Sequence, residues 1–224
     1  KLGLSLPAAA VLLHAGALAV LVTGMFALGR SFALGSAAIA LLLLWFLNVS
    51  AGTVGGVFLY THAPLPAVWV MGAVLWGFAL ARRGHWVAAY ACFGAASVLQ
   101  FLVGFYAGAL LLPALPWRRL RLVGLALGVW VFSLLINYAP LVVLGSMGTP
   151  LLDNDTFVEI YAKLRCPNHL MPSTWGWPAW VQFFLFYMGA LLCVRELRAV
   201  RSAGERRIFL LVLAAAAAGL AANY

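Results

Sequence analysis

The groups in this chain whose types and spacing could do chemistry are a pair of aspartates, Asp153 and Asp155, and a cluster of Arg165, Asn168 and His169. Carboxylates two residues apart can share a divalent cation through hard oxygen ligands, or one of them can take a proton. A guanidinium, helped by Lys163, suits a phosphate, and the imidazole of His169 suits proton transfer or the positioning of a hydroxyl. Plainer roles compete for the same residues. Asp155 fits an acid at a helix start, and Glu159 with Lys163 fits a solvated i, i+4 pair. Trp175, Trp177 and Trp180 fit an interfacial aromatic belt as well as a sugar-stacking platform.

All these residues except Trp180 lie between Pro150 and Pro178, the one long polar passage of the chain. Within it Thr156-Phe157-Val158-Glu159 fits a capping box, and Phe157, Ile160, Tyr161 and Leu164 recur on one helical face. The pattern predicts a short amphipathic helix on a membrane surface, ending at Pro167. Residues 147–178 are therefore read as a loop carrying an interfacial helix.

The elements that must hold this loop are set by composition. Hydrophobic residues make up 66% of the chain and charged residues 8%, too little charge to cover a soluble surface. Runs such as Ala37 to Leu47 are apolar on every face, unlike the alternating strands of a membrane barrel. The expected fold is an all-α, polytopic transmembrane helix bundle in a single integral-membrane domain over 1–224. Its spans are read at Pro7 to Leu28, Ser31 to Leu47, Pro66 to Ala81, Trp86 to Pro116, Leu122 to Gly145, Ala179 to Val194 and Ile208 to Ala222.

The net charge of +9 comes in short clusters between hydrophobic runs, which speaks for membrane topology and against a nucleic-acid partner. The clusters are Arg30, Arg82 with Arg83, Arg118 to Arg121, and Arg195 to Arg207, and the positive-inside rule places all of them in the cytoplasm. Trp86 to Pro116 must then leave and return as two short helices, breaking near Gly104 or Gly108. This makes about eight membrane segments and puts the Pro150 to Pro178 loop outside the cytoplasm. A second outside loop, Asn48 to Pro66, carries no formal charge. Cys92, Cys166 and Cys193 form no disulfide or zinc spacing, and no Walker loop, dinucleotide fingerprint, HExxH helix or haem motif occurs. Lys1 opens the chain without a signal-peptide pattern, and Tyr224 ends it as a hydrophobic run closes, so it reads as part of a longer protein.

From Phe157-Val158-Glu159-Ile160 to Arg165-Cys166-Pro167-Asn168-His169-Leu170-Met171-Pro172-Ser173-Thr174-Trp175, the loop resembles a pattern of poorly characterised bacterial polytopic membrane proteins. That pattern is R-x-P-H-H-x-x-P-S-x-W preceded by V-E-I, and here Asn168 stands in place of its first histidine. The run from Gly55 to Trp117 resembles the span organisation of integral-membrane glycosyltransferases of the GT-C class. The resemblance implies an enzyme of the bacterial inner membrane that moves a sugar from a polyprenyl-phosphate donor at the extracytoplasmic face, in some members with a divalent metal. Asp153 or Asp155 would then be metal ligand or base, Lys163 and Arg165 would hold the donor phosphate, His169 would position acceptor or leaving group, and Asn168 and Trp175 would contact substrate. GT-C enzymes usually carry an acid in the first outside loop, and Asn48 to Pro66 has none. A non-catalytic subunit or scaffold of a larger membrane complex is the competing class. A transporter, with His14 and Gln100 as its polar groups within the membrane, is the third.

Overall fold

The structure is a computed structural model that describes residues 5–48, 66–143, 153, 155–156, 159–160, 176–196 and 214. Among these the regular elements are helical, with no strand. The chain clusters into two compact units, Lys1–Asn48 with Tyr60–Met147, and Val49–Leu59 with Gly148–Tyr224.

The first unit holds α1 (Leu6–Ser31), α2 (Ser36–Asn48), α3 (Pro66–Arg82), α4 (Trp86–Leu99), α5 (Phe101–Leu111), a 3-10 turn at Leu112–Ala114, and α6 (Leu120–Val143). Helix α1 begins where Ser5 caps it, the Ser5 hydroxyl accepting from the Ala8 amide, with Pro7 in the first turn where its missing N–H costs nothing. Its end is a Schellman turn: the Leu34 amide donates to the Gly29 carbonyl and the Ala33 amide to Arg30. Ala33 occupies the left-handed position at φ 59°, which a glycine would fill without strain. This turn consumes residues 32–35, so α2 starts at Ser36 and not at Ser31 as the hydrophobic run suggested. Helix α3 ends in the same motif, with Gly84 (φ 81°) in the left-handed position and the His85 amide donating to Leu80.

Helices α1 and α3 are parallel: Gly16 meets Trp69, Gly24 meets Gly72 and Trp76, and Arg82 reaches Ser31, contacts that climb both helices in the same order. At the crossing the two backbones touch. A Cβ added to Gly72 would stand 2.8 Å from the Leu21 amide nitrogen and from the Val20 carbonyl carbon. Such close approach is how helices associate where lipid supplies no hydrophobic drive between them. The basic ends of the pair are tied to each other. The Arg82 guanidinium donates to the Ser31 carbonyl from Nε at 3.2 Å and Nη2 at 3.0 Å and lies 4.0 Å from the Phe32 ring centroid. Arg83 donates to the Ala27 carbonyl, and Arg30 to the Ser36 hydroxyl. Cations thus meet the negative end of the α1 dipole.

Helix α4 is the centre of the unit, packed against α3, α5 and α6. Tyr90, Phe93 and Ser97 on it are fully buried. Its register with α6 is parallel: Tyr90 rests edge-on against Trp130, Gly94 lies against Ser133, and the Asn137 amide donates to the Ser97 carbonyl at 2.9 Å. With α5 it is antiparallel, Gly104 lying against Phe93 and Ser97, and the Tyr90 hydroxyl donating to the Gly108 carbonyl at 3.0 Å. The expected two short helices are present, but the corner is at Gln100. There the backbone is extended (φ −150°, ψ 98°), its amide closing α4 on Ala96 and its carbonyl opening α5 to Gly104. Glycines Gly104 and Gly108 are surfaces of contact and not breaks.

The second unit contains α7 (Trp177–Glu196) and, in the preceding loop, helical Asp155 and Thr156. The expected last span, Ile208 to Ala222, lies outside the described residues apart from Ala214, which is helical. Among the described residues two helices are long and apolar enough to cross a membrane, α1 with 26 residues and the 18-residue stretch Leu120–Asn137 of α6. These stretches rise about 39 Å and about 27 Å, against a hydrocarbon core of about 30 Å. Leu12, Leu41, Leu125 and Phe132 stand exposed on the first unit's outer faces, as lipid-facing side chains do.

Candidate functional site

The described part of the polar loop is built around Asp153. Its Oδ1 accepts from the Thr156 amide at 2.8 Å, and its Oδ2 accepts from the Thr156 hydroxyl at 2.7 Å. Asp153 is therefore the cap, and Thr156, expected as the capping residue, is already inside the first turn. The physical reason is acceptor capacity: a carboxylate can take both the amide and the hydroxyl of Thr156, and Asp is at least the equal of Thr as an N-cap. The Thr156 amide first, and its hydroxyl second, hold the Asp153 carboxyl below the ordinary carboxylate value of 3.8.

A depressed carboxyl binds its proton less readily folded than unfolded, so the clamp contributes stability above pH 3.8 and loses it as pH falls through the lower folded value. In protein carrying carbon-13-labelled aspartate, the Asp153 carboxyl carbon is expected to titrate below pH 3.8, and Thr156→Val to move it upward. A midpoint unmoved by that substitution would remove the clamp as its cause.

Asp155 follows in the first turn, exposed to solvent, where an acid suits the positive end of a helix. Both aspartates are exposed, and they differ in that both oxygens of Asp153 are taken up by Thr156, one by its amide and one by its hydroxyl. Glu159 and Ile160 are also exposed. Lys163, Arg165, Asn168, His169 and Trp175 lie outside the described residues, as does the loop from Val49 to Leu65 with His62. Among the described residues no three His, Cys, Asp or Glu side chains gather as a metal site. Two carboxylates, one of them engaged at both oxygens, fall short of the six or so oxygens that a magnesium or calcium ion takes.

The aromatic residues at the start of α7 differ from one another. Trp177 is 76% exposed, whereas Trp180 is half-buried and stacks on Phe184 with centroids 6.1 Å apart. Sequence reasoning missed the bond from Asn137 to Ser97. Its only trace was Asn137 itself, an amide within an apolar run, and such a group usually faces the bundle. Of the two polar residues weighed for a transport pathway, Gln100 is exposed at the α4–α5 corner and His14 is part-buried on α1.

The described chain is thus an all-helical protein with two helices long and apolar enough to span a membrane. No protein-family model matches it, and neither a curated protein nor a solved structure does.

Proposed function

We propose that the chain is a multi-pass protein of a bacterial inner membrane, with about eight membrane segments, that transfers a sugar from a polyprenyl-phosphate donor at the extracytoplasmic face. The observation that carries this reading is the division of labour between the two aspartates. Asp153 spends both oxygens on Thr156 and so fixes the start of the loop helix, and Asp155 is left exposed on that fixed turn. A carboxylate carried on a fixed turn and open to solvent suits a general base. Asp155 would take the proton of the acceptor hydroxyl as its oxygen bonds to the anomeric carbon, while the bond from that carbon to the phosphate oxygen breaks and polyprenyl phosphate leaves. Lys163 and Arg165 would balance the charge of the leaving phosphate, His169 would orient the acceptor, and Asn168 and Trp175 would contact the sugar.

In this reading α4 and α5, with 14 and 11 residues, form a re-entrant hairpin. At about 21 Å and about 17 Å neither crosses the hydrocarbon. Both ends of the hairpin then stay beside the cytoplasmic arginines, as the positive-inside rule asks.

The test is turnover by purified protein given a polyprenyl-phosphate sugar. Asp155→Asn is expected to lower the rate by about a hundredfold or more with the thermal midpoint unchanged. Full activity in that variant would remove Asp155 from the reaction. The second reading is a non-catalytic subunit, and it is favoured by the use of Asp153 as a local cap with no third ligand among the described residues. It expects a stoichiometric partner after gentle detergent extraction and no turnover in any variant.

A further inference from the structure

The first 152 residues contain no aspartate or glutamate; the five acids of the chain are Asp153, Asp155, Glu159, Glu196 and Glu205. Every arginine of the first unit therefore lacks a carboxylate within its own unit. The six arginines solve this in two ways. Arg30, Arg82 and Arg83 spend their guanidiniums on the Ser36 hydroxyl and the Ser31 and Ala27 carbonyls, tying the ends of α1 and α3. Arg118, Arg119 and Arg121 are exposed, and their guanidiniums make no hydrogen bond or ion pair among the described residues.

These three free cations share the turn Pro116-Trp117-Arg118-Arg119-Leu120-Arg121 with two apolar side chains that also point outward. Trp117 is 51% exposed and Leu120 is 73% exposed. The Trp117 ring is held there, its Nε1 donating to the Leu112 carbonyl at 3.1 Å, and the Arg119 amide closes the turn on the Pro116 carbonyl at 2.7 Å. An indole and a leucine exposed among guanidiniums match the layering of a bilayer surface, with apolar groups at the acyl boundary and cations at the phosphates. A soluble anion would match the arginines but give no partner to Trp117 and Leu120.

We propose that this turn binds the headgroup of an anionic phospholipid, its phosphate held by Arg118, Arg119 and Arg121 and its glycerol and upper acyl chains against Trp117 and Leu120. The inference rests on the membrane placement above and is independent of any transferase activity. Positive charge alone orients a span, but a guanidinium also offers a planar fork that grips phosphate bidentately, which an ammonium does not.

The experiment titrates the purified chain, in uncharged detergent, with short-chain phosphatidylglycerol, with phosphatidylcholine of the same chain length, and with inorganic phosphate, reading the thermal midpoint and tryptophan fluorescence. Phosphatidylglycerol is expected to raise the midpoint and the other two to leave it in place. Replacing all three arginines by glutamine is expected to weaken phosphatidylglycerol binding by about a hundredfold, roughly a factor of five for each cation at a membrane surface. Equal response to phosphatidylcholine, or undiminished binding by the glutamine variant, would overturn the proposal. If the glutamine variant does not insert, the triple lysine variant decides. It keeps the charge that sets orientation and loses the fork, so a measurable loss of affinity supports the site, and binding equal to wild type rejects it.

Discussion

Gly104→Val is expected to yield protein whose thermal midpoint in detergent falls far below that of the wild type, with the α4–α5 hairpin opened. A Cβ on Gly104 would fall inside van der Waals contact of the Ser97 amide nitrogen and the Phe93 carbonyl oxygen. Both are main-chain atoms of a buried helix and cannot swing aside as a side-chain tip would. The hairpin must separate by the width of a methyl group or more, and separation costs the Tyr90 to Gly108 hydrogen bond as well. Overpacking of a close-packed interior costs about 1 to 3 kcal/mol, and a clash with backbone belongs at the upper end, about 3 kcal/mol. Gly124→Ala is the control, because nothing lies within 4 Å of a Cβ there. An alanine inside a helix is worth up to about 1 kcal/mol over glycine, so this variant should match or exceed wild type. Equal melting of the two variants would mean that α5 does not lie on α4 as described.

The second large effect is expected at the other backbone contact. Gly72→Val should destabilise the first unit by about 2 to 3 kcal/mol, because its side chain would enter the α1 backbone at Val20 and Leu21. Gly24 gives no relief, since a Cβ there would already stand 2.9 Å from the Gly72 carbonyl. Trp76 reports the change: its indole donates to the Thr23 hydroxyl at 3.1 Å across the same crossing, and parting the helices exposes it. A red-shifted tryptophan emission together with the lower midpoint is the expected pair of results. A lower midpoint without the spectral shift would place the damage elsewhere than the α1–α3 crossing.

These two glycines show why part of the fold was legible in the sequence and part was not. Uninterrupted apolar runs located α1, α3 and α6 within a few residues, because a helix in lipid needs only length and hydrophobicity to form. The same logic read Gly104 and Gly108 as interruptions. In a membrane a glycine serves as readily to bring two helices together, and only the partner's position tells which role applies. The corner fell instead on Gln100, a good helix former, because the antiparallel fit of Gly104 to Ser97 and Gly108 to Tyr90 sets where the chain must turn. Tertiary packing overrode local preference.

The candidate site divides similarly. The aspartates were visible as a pair, but two capping patterns overlap, Asp153 with Thr156 and Thr156 with Glu159. Sequence spacing alone does not rank them. Geometry does, since Asp153 meets both donors of Thr156 and leaves Asp155 facing solvent.

The single-residue corner at Gln100 also fixes an odd-or-even count. From Trp86 to Leu111 the chain is apolar without a charge, and to the machinery that inserts nascent helices it has the length and composition of one span. In the proposed topology, insertion as one span would reverse the side of the membrane on which every later segment emerges, delivering Asp155 and the residues around it to the cytoplasm. Folded back on itself, it leaves the count unchanged. In the proposed topology, one extended residue at an exposed corner of the first unit therefore sets the side of the membrane on which a loop some fifty residues further on emerges.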